Sequence, residues 1–408
     1  MTTEQQELIK AARANALPRV VRLLASGVNP NCGQGITPLL AAVRHGNVWM
    51  ARALLNAGAD PEARSAQGLS PMECAKSSDL PASTALQLVE LLVKYGAKEG
   101  AERASACHSA HTRQHKERAR AAWAGLMVGD ALGAPVEFCH EYEIRRAYPE
   151  GVDRMLHGFG ICIDRKAGEV TDDTQMAWCL HQALLDADGW DKYAAHKRYM
   201  DWFETDPPDV GEAVSAALEG EPLSDSQGNG ALMRVLPIAL WAAEHPDFDW
   251  QTAAREDAAI THPHPVCGDA NVVFVHALLQ AMQPGATPRG VYESTLQFAA
   301  EQGVHPLVLL TLRQAETERP DYDGEYIGWV LVALQSAFYQ LLHAADFRSA
   351  LVDIVSSGGD TDTNADIAGA LLAALYGEDC IPHQWLVCVR AVNEARFTRL
   401  LPRRKERR

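Results

Sequence analysis

The 408-residue chain carries 37 basic and 53 acidic residues, a formal net charge of −16, and 47% hydrophobic residues. The length predicts two domains, and the hydrophobic content predicts that both are globular. The acidic balance argues against a broad electrostatic footprint for nucleic acid or for an anionic membrane.

The nine cysteines occur singly, without a C-x-x-C pair, so neither a disulfide framework nor a structural zinc site is indicated. The N-terminus, "MTTEQQELIKAARAN", lacks the order of a signal peptide. The longest apolar run, residues 327–342, is interrupted by three polar residues and predicts a buried helix. We therefore expect a cytoplasmic protein without a membrane segment.

The first hundred residues contain an internal repeat. "GITPLLAAVRHGN" begins at Gly35, and "GLSPMECAKSSD" begins 33 residues later at Gly68. Three Leu-Leu pairs each precede a glycine, at Gly27, Gly58 and Gly96. A 33-residue period with T-P-L near its start resembles the ankyrin repeat, in which a turn leads into two antiparallel helices. Residues 1–98 are predicted to hold two to three such units.

The repeats have two candidate roles, binding of a protein partner or packing within the chain, and both stay open. Residues 99–117 are polar and lack apolar periodicity, which indicates a linker. His108, His111 and His115 lie in this segment, but no further ligand follows at a fixed spacing, which favours a solvated linker over a metal site.

Residues 118–408 predict an all-α domain. Segments such as "DTQMAWCLHQALLDA" and "DANVVFVHALLQAM" place apolar residues at spacings near 3.6, and strand signals are scarce. About a dozen helices are expected, followed by a solvated basic tail, "RLLPRRKERR".

The stretch "SSGGDTDTNADIAGALLAALYG" is unusually rich in oxygen ligands. An EF-hand loop from Asp360 would need glycine and glutamate where this chain has Ala365 and Leu371. A D-x-D nucleotide-sugar site would normally follow a strand, which the sequence does not indicate. Helix capping alone would explain one of these residues and leave the other carboxylates crowded.

Two further acid-rich motifs lie beside predicted helix ends. "GEVTDDTQMAW" contains Thr171, Asp172 and Asp173, and "GDALGAPVEF" contains Asp130 and Glu137. Such hard oxygen donors suit Mg²⁺, Mn²⁺ or Ca²⁺. Three acid clusters together predict a two-metal centre.

Five motifs in order, "GLMVGDALGAPVEF", "TDDTQMA", "GNGALMRVLPI", "THPHP" and "GGDTDTNADIAGALLAALYG", resemble the ADP-ribosylglycohydrolase family. The resemblance covers residues 118–399 and implies an all-α fold with a binuclear magnesium site. The family includes ADP-ribosylarginine hydrolase and the dinitrogenase reductase activating glycohydrolase.

The resemblance also implies roles for individual residues. The two Mg²⁺ ions would be held by Thr171, Asp172, Asp173, Asp360, Asp362 and Thr363. The residues expected to take part in catalysis are Asp172, Asp173, Glu137 and Asp362.

The resemblance implies substrate contacts by Asp130, Gly228, Asn229, Gly230, Met233 and His262. A helix is expected to begin at Ala231, so that backbone amides converge on the diphosphate of ADP-ribose. Two alternatives stay open: for Asp130, a hydrogen bond that supports a helix, and for His262, the role of a buried structural histidine.

The sequence thus predicts a Mg²⁺-dependent hydrolase that removes ADP-ribose from modified proteins, with arginine favoured as the acceptor. Its role would be to reverse an ADP-ribosyltransferase, for example as an antitoxin or immunity protein. The alternative is a binding module, in which the ankyrin unit recognises a toxin or target and the second domain only holds ADP-ribose. Intact acids in all three motifs favour the enzyme.

Overall fold

The computed structural model describes residues 2–13, 16–33, 37–65, 69–77, 80, 82–97 and 101–397, and the chain divides into two compact units, Met1–Arg113 and Gln114–Arg408. The predicted repeat starts at Gly35 and Gly68, the side chains of the three linker histidines and the basic tail lie outside the described residues.

The described secondary structure is helical apart from two isolated β-bridges. The α-helices are α1 Thr3–Arg13, α2 Leu17–Ala25, α3 Pro38–Arg44, α4 Val48–Asn56, α5 Pro71–Ser77, α6 Ala82–Lys94, α7 Ala101–Gly133, α8 Glu141–Ala147, α9 Asp172–Ala187, α10 Lys192–Phe203, α11 Glu212–Leu218, α12 Leu236–Glu244, α13 Trp250–Thr261, α14 Pro265–Ala281, α15 Pro288–Gln302, α16 Pro306–Gln314, α17 Val330–His343, α18 Phe347–Val355, α19 Thr361–Tyr376 and α20 His383–Phe397. Short 3₁₀ helices lie at Ala134–Val136, Gly160–Cys162 and Glu378–Cys380. None of the described helices is long and apolar enough to cross a membrane.

The first unit is built from helix pairs. Helices α1 and α2, α3 and α4, and α5 and α6 contact each other, and α1, α3 and α5 also form one row. Thr37 caps α3 by accepting a hydrogen bond from the Leu40 amide, 3.3 Å away. Pro38 then occupies the first helical position, where its missing N–H costs nothing. The T-P-L motif is therefore a helix start.

The second unit is built around α19. All of its residues from Thr361 to Leu375 are buried, and it contacts α9, α14, α17 and α18. From Ile367 onward α19 is apolar on all sides, which is typical of a helix in a core. The oxygen-rich motif forms the first turn of this central helix, so its carboxylates lie inside the unit.

Helix α7 includes residues 101–117, the segment that the sequence indicated as a linker. Its lack of an apolar stripe gave no helix signal. However, the segment is rich in alanine, glutamate, arginine and lysine, and these residues favour helix on propensity alone.

Candidate metal centre

Two loops that are hydrogen-bonded to each other, one after Glu137 and one before Asp360, place Glu137 next to the start of α19. The Phe138 amide donates to the Gly359 carbonyl at 2.8 Å, and the Gly359 amide donates to the Cys139 carbonyl at 3.1 Å. Gly359 has φ +75°, and a Cβ there would lie 1.8 Å from the Tyr322 carbonyl oxygen. Only glycine fits this position. The double glycine before Asp360 thus joins two of the predicted acid motifs.

A close crossing of α7 and α19 brings in the next acid. A Cβ on Gly129 would lie 2.1 Å from the Ala365 carbonyl oxygen, and one on Gly133 would lie 2.4 Å from the Asp362 amide nitrogen. The Thr361 hydroxyl donates to the Gly133 carbonyl at 2.9 Å. Glycine at every fourth position therefore lets the two backbones touch, and Asp130 lies on α7 between these contacts.

Asp130 supports the T-D-D motif from beneath. Its carboxylate accepts hydrogen bonds from the Thr171 amide at 3.0 Å, from the Thr171 hydroxyl at 3.0 Å and from the Thr174 amide at 3.2 Å. Asp130 is fully buried, and burial raises its pKa to about 6 against the opposing effect of these threonine hydrogen bonds. The geometry matches the helix-supporting alternative, because the carboxylate satisfies the free amides at the start of α9.

Thr171 connects this support to the metal motif. It lies at the N-cap position of α9 but makes no side-chain cap bond. Its hydroxyl is 3.1 Å from Asp173 Oδ2 and 3.0 Å from Asp130 Oδ1, so its single proton is shared between the two carboxylates. The threonine therefore orients an acid of the centre and does not serve the helix end.

Three carboxylates converge at the centre. Oxygens of Glu137, Asp360 and Asp362 lie within 4.8 Å of one another, and all three residues are buried. Burial, together with the charges of Asp360 and nearby acids, raises the pKa of Glu137 to about 9. Burial and the charge of Glu137 likewise raise the pKa of Asp362 well above its usual range.

The T-D-D acids adjoin this cluster. Burial, followed by the charge of Asp209, raises the pKa of Asp172 well above its usual range, and Asp360 contributes to the same effect. For Asp173, burial and then the charge of Asp172 raise the pKa. The acids of all three predicted motifs thus act on one another electrostatically.

Several oxygens in the centre have no protein donor. Within the described part of the chain, Asp173 Oδ1 and Asp360 Oδ1 are buried and lack a hydrogen-bond partner. Asp360 occupies the N-cap position of α19 without capping it. Buried charges without a partner are costly, and carboxylate oxygens are the ligands that hard divalent cations prefer. The donor set therefore fits a divalent metal ion.

The loop at residues 227–235 lies against the same cluster. Asn229 Nδ2 donates to Asp360 Oδ2 at 2.8 Å, and the Asn229 amide donates to the Gly328 carbonyl at 3.0 Å. The expected helix start at Ala231 is wrong, since α12 begins at Leu236. Residues 229–235 instead form turns, in which the Leu232 and Met233 amides both donate to the Asn229 carbonyl.

His262 lies beneath this loop. A Cβ on Gly228 or on Gly230 would be 3.0 Å from its ring, so the two glycines leave room for the imidazole. His262 Nδ1 lies 2.9 Å from the Thr261 hydroxyl oxygen. Burial and the charge of Arg234 lower the pKa of His262 to about 3, so the ring is neutral. This placement matches the structural alternative for His262.

A buried ion pair supports the same loop from behind. Arg234 and Asp257 are both fully buried, with Nε and Oδ2 3.1 Å apart. Arg234 also donates to the Gly230 carbonyl at 3.2 Å and to the Thr261 hydroxyl at 2.9 Å. The Tyr199 hydroxyl donates to Asp257 at 2.7 Å. The loop that carries Asn229 is therefore fixed by a fully paired network.

Three charged residues near the centre were not predicted. Arg165 and Asp209 form an ion pair, and both act on the pKa of Glu137. Asp366, on α19, acts on Asp173. Asp209 lies in the connection "TDPPDVGE", where an acid between prolines and glycine was the available signal. Asp366 lies inside the oxygen-rich stretch but was not distinguished from it.

Comparison with known proteins gives two family matches. Residues 111–407 match the model described as ADP-ribosylglycohydrolase, and residues 8–103 match ankyrin repeats in three copies. These matches confirm the predicted fold class, an all-α domain preceded by a short ankyrin stack.

Individual relatives agree with these matches. The chain is 32% identical over 279 residues to the ADP-ribosyl-[dinitrogen reductase] glycohydrolase of Rhodospirillum rubrum, covering 66% of this chain and 89% of the relative. It is 25% identical over 293 residues to the ADP-ribosylarginine hydrolase Tri1 of Pseudomonas putida, covering 67% and 74%. A solved structure described as "ADP-ribosylglycohydrolase-related protein complex" aligns with a TM-score of 0.59 and 30% identity, covering 69% of this chain and 95% of that one.

Proposed function

The chain belongs to the ADP-ribosylglycohydrolase family, and on this basis we propose that it is a magnesium-dependent hydrolase that removes ADP-ribose from modified arginine side chains of proteins. The observation that carries the proposal is the set of buried, partly unpaired carboxylates at the start of α19. An apolar core gains nothing from such a set unless a cation binds it.

We assign two Mg²⁺ ions to the metal motifs, with ligands from Thr171, Asp172, Asp173, Asp360, Asp362 and Thr363. When bound, the ions would supply Lewis-acid stabilisation at the ribose. Asn229 holds one oxygen of Asp360 and so leaves the other free to act as a ligand.

Cleavage of the bond between ribose C1″ and the acceptor nitrogen develops positive charge on the sugar. Water adds to C1″, and the leaving nitrogen keeps the electron pair and takes up a proton. We assign the stabilisation of this charge and the movement of these protons to the carboxylates of Asp172, Asp173, Glu137 and Asp362. A positioned acid or base contributes typically about 10²- to 10⁴-fold to such a reaction.

Arginine is the acceptor that the surroundings of the centre favour. The side chain of Asp209 is 29% exposed and is paired with the guanidinium of Arg165. Carboxylates bind guanidinium groups through directed, charge-assisted hydrogen bonds. The acceptor arginine of a substrate offers the same chemical group, so Asp209 is suited to hold it beside Asp172.

The ADP-ribose diphosphate is assigned to the loop at Gly228–Gly230, next to Asn229 and Met233. The glycines keep this loop free of side chains where it packs on His262. The Asn229 amide already donates to the Gly328 carbonyl and the Gly228 amide to the Ser226 hydroxyl, so the Gly230 amide, which donates to no acceptor in the described part of the chain, is the one assigned to the anion. Since α12 begins only at Leu236, anion binding here relies on turn amides and not on a helix end.

The ankyrin repeats are assigned to selection of the modified protein, since all the acids of the centre lie outside them. The biological role is then reversal of an ADP-ribosyltransferase, including protection against a toxin of that kind. We also propose a cytoplasmic location, with which the eight free cysteines of the described residues are compatible.

The second candidate is a binding module that holds ADP-ribose and a protein partner without turnover. The observation in its favour is the ankyrin stack, a fold that mediates protein interactions. Retention of every acid in the three motifs favours the enzyme.

The test is release of free ADP-ribose by the purified full-length protein from arginine-modified and from serine-modified proteins, with Mg²⁺ and with EDTA. We expect Mg²⁺-dependent release from the arginine substrate alone. Asp209→Asn should raise KM for that substrate, whereas Asp201→Asn, a surface control on α10, should not. Release from the serine substrate alone contradicts the acceptor assignment, and tight ADP-ribose binding without any release favours the binding module.

A further inference from the structure

Asp366 is a buried acid that neither the metal assignment nor the fold accounts for. It lies on α19 four residues after Asp362, so the two side chains share one face of the helix. Its amide nitrogen would be 2.6 Å from a Cβ on Gly129, which places it at the crossing with α7, adjacent to Asp130. Asp366 therefore lies on the inner side of the acid cluster.

Both carboxyl oxygens of Asp366 lack a partner. The residue is fully buried, and neither Oδ1 nor Oδ2 makes a hydrogen bond within the described part of the chain. A carboxyl group in this position destabilises a fold unless a donor or a cation compensates it. Its strongest charged neighbours are Asp130 and Asp172, which are acids as well.

Asp173, a neighbour of Asp366, likewise has a carboxylate oxygen without a donor. Asp173 Oδ1 is also buried without a partner among the described residues, and the charge of Asp366 contributes to raising the pKa of Asp173. Two acceptor oxygens cannot bond to each other, but a water molecule can donate to both. The opposite oxygen of Asp173 is already fixed by Thr171. A bridging donor would therefore complete the orientation of this carboxylate.

We propose that Asp366 is a positioning residue of the metal centre, which holds Asp173 through an ordered water and adds negative charge behind the cations. The inference rests on the proposed function, since the cations offset the cost of burying Asp366. Residues that orient metal ligands in this way typically change metal affinity by about 10- to 100-fold when they are replaced. Asp366 thus lowers the stability of the metal-free protein and raises its affinity for the metal.

The test uses the full-length Asp366→Asn and Asp366→Ala proteins, with Mg²⁺ affinity measured by calorimetry and thermal unfolding measured in EDTA. We expect Mg²⁺ to bind about 10- to 100-fold more weakly. In EDTA, both variants should unfold at a higher temperature than the wild type, because they lack a buried carboxyl group whose charge no cation offsets in the metal-free protein. A merely structural role for Asp366 would instead lower the unfolding temperature and leave Mg²⁺ affinity unchanged, and either result overturns the proposal.

Two controls separate this proposal from the proposed function. Asp353→Asn removes one negative charge from the same unit at a partly exposed ion pair with Arg319, and it should leave Mg²⁺ affinity unchanged. Asp362→Asn should abolish or severely weaken Mg²⁺ binding. If Asp362→Asn behaves as expected and Asp366→Asn binds Mg²⁺ like the wild type, the inference about Asp366 fails while the metal centre stands. If the wild type itself binds no Mg²⁺, the proposed function fails first.

Discussion

The second unit buries charge in two different ways. In the network behind the 227–235 loop, Arg234 and Asp257 are fully buried and paired, and Tyr199 and Thr261 complete their hydrogen bonds. In the acid centre, carboxylates cluster with buried oxygens that have no donor. Both sets lie in one unit, and Asn229 belongs to the loop that separates them.

The difference in hydrogen bonding distinguishes residues that hold the fold in shape from residues that are free to bind a ligand. A buried ion pair with complete hydrogen bonds is self-sufficient, and its loss leaves one uncompensated charge. A cluster of buried acids is unstable when all its members are ionised, and it needs a bound cation or protons to compensate their charges. Incomplete hydrogen bonding of buried groups therefore indicates where a ligand binds, whereas complete hydrogen bonding indicates what holds that place in shape.

The largest expected effect comes from replacing Asp362, a proposed metal ligand in the acid centre. Asp362→Asn removes one of the crowded carboxylates, so release of ADP-ribose should fall by more than the roughly 10- to 100-fold that indirect positioning residues contribute. The metal-free protein should be at least as stable as the wild type, because one source of repulsion is gone. Initial rates at saturating Mg²⁺ and urea unfolding in EDTA check both parts, with Asp353→Asn as the matched control. Normal activity in Asp362→Asn would show that this residue is not a metal ligand.

The paired network should respond in the opposite manner. Asp257→Asn leaves the Arg234 guanidinium buried without its counter-ion and should lower the free energy of unfolding by about 3–5 kcal/mol. Tyr199→Phe, which leaves Asp257 Oδ1 without its donor, should cost less, about 1.5–3 kcal/mol. Urea unfolding in EDTA measures both variants. A loss below 1 kcal/mol in Asp257→Asn would mean that the network does not stabilise the fold.

The sequence was most informative where several residues of one chemical type lie close together beside a predicted helix end. The acids of the three motifs could be predicted to meet because each motif carried several ligands beside a helix end. The 33-residue period and the T-P-L motif likewise identified the first unit. Helix α7 was not foreseen over residues 101–117, because a polar helix leaves no apolar pattern.

Tertiary contacts explain what the sequence did not reveal. The helix expected at Ala231 is replaced by turns, since Arg234 there binds the Gly230 carbonyl and α13 and does not continue a helix. An aspartate at position 130 and a histidine at position 262 suit both of the roles considered for them. The residue type therefore does not distinguish structural support from ligand binding, and only contacts can. Asp209 reaches the centre through the fold, from a connection without a recognisable metal motif.

The smallest effect on the free energy of unfolding is expected at Asn229, which joins the two regions. Asn229→Ala removes the amide that donates to Asp360 and leaves a second oxygen of that carboxylate without a protein donor. A hydrogen bond to a charged group contributes about 1.5–3 kcal/mol, so either Mg²⁺ affinity or the rate at saturating Mg²⁺ should fall by about ten- to a hundredfold. The free energy of unfolding in EDTA should change little, because the Arg234–Asp257 pair still holds the loop. Loss of stability comparable to that of Asp257→Asn would show that Asn229 belongs to the support, and the division between the two regions would then be wrong at this residue.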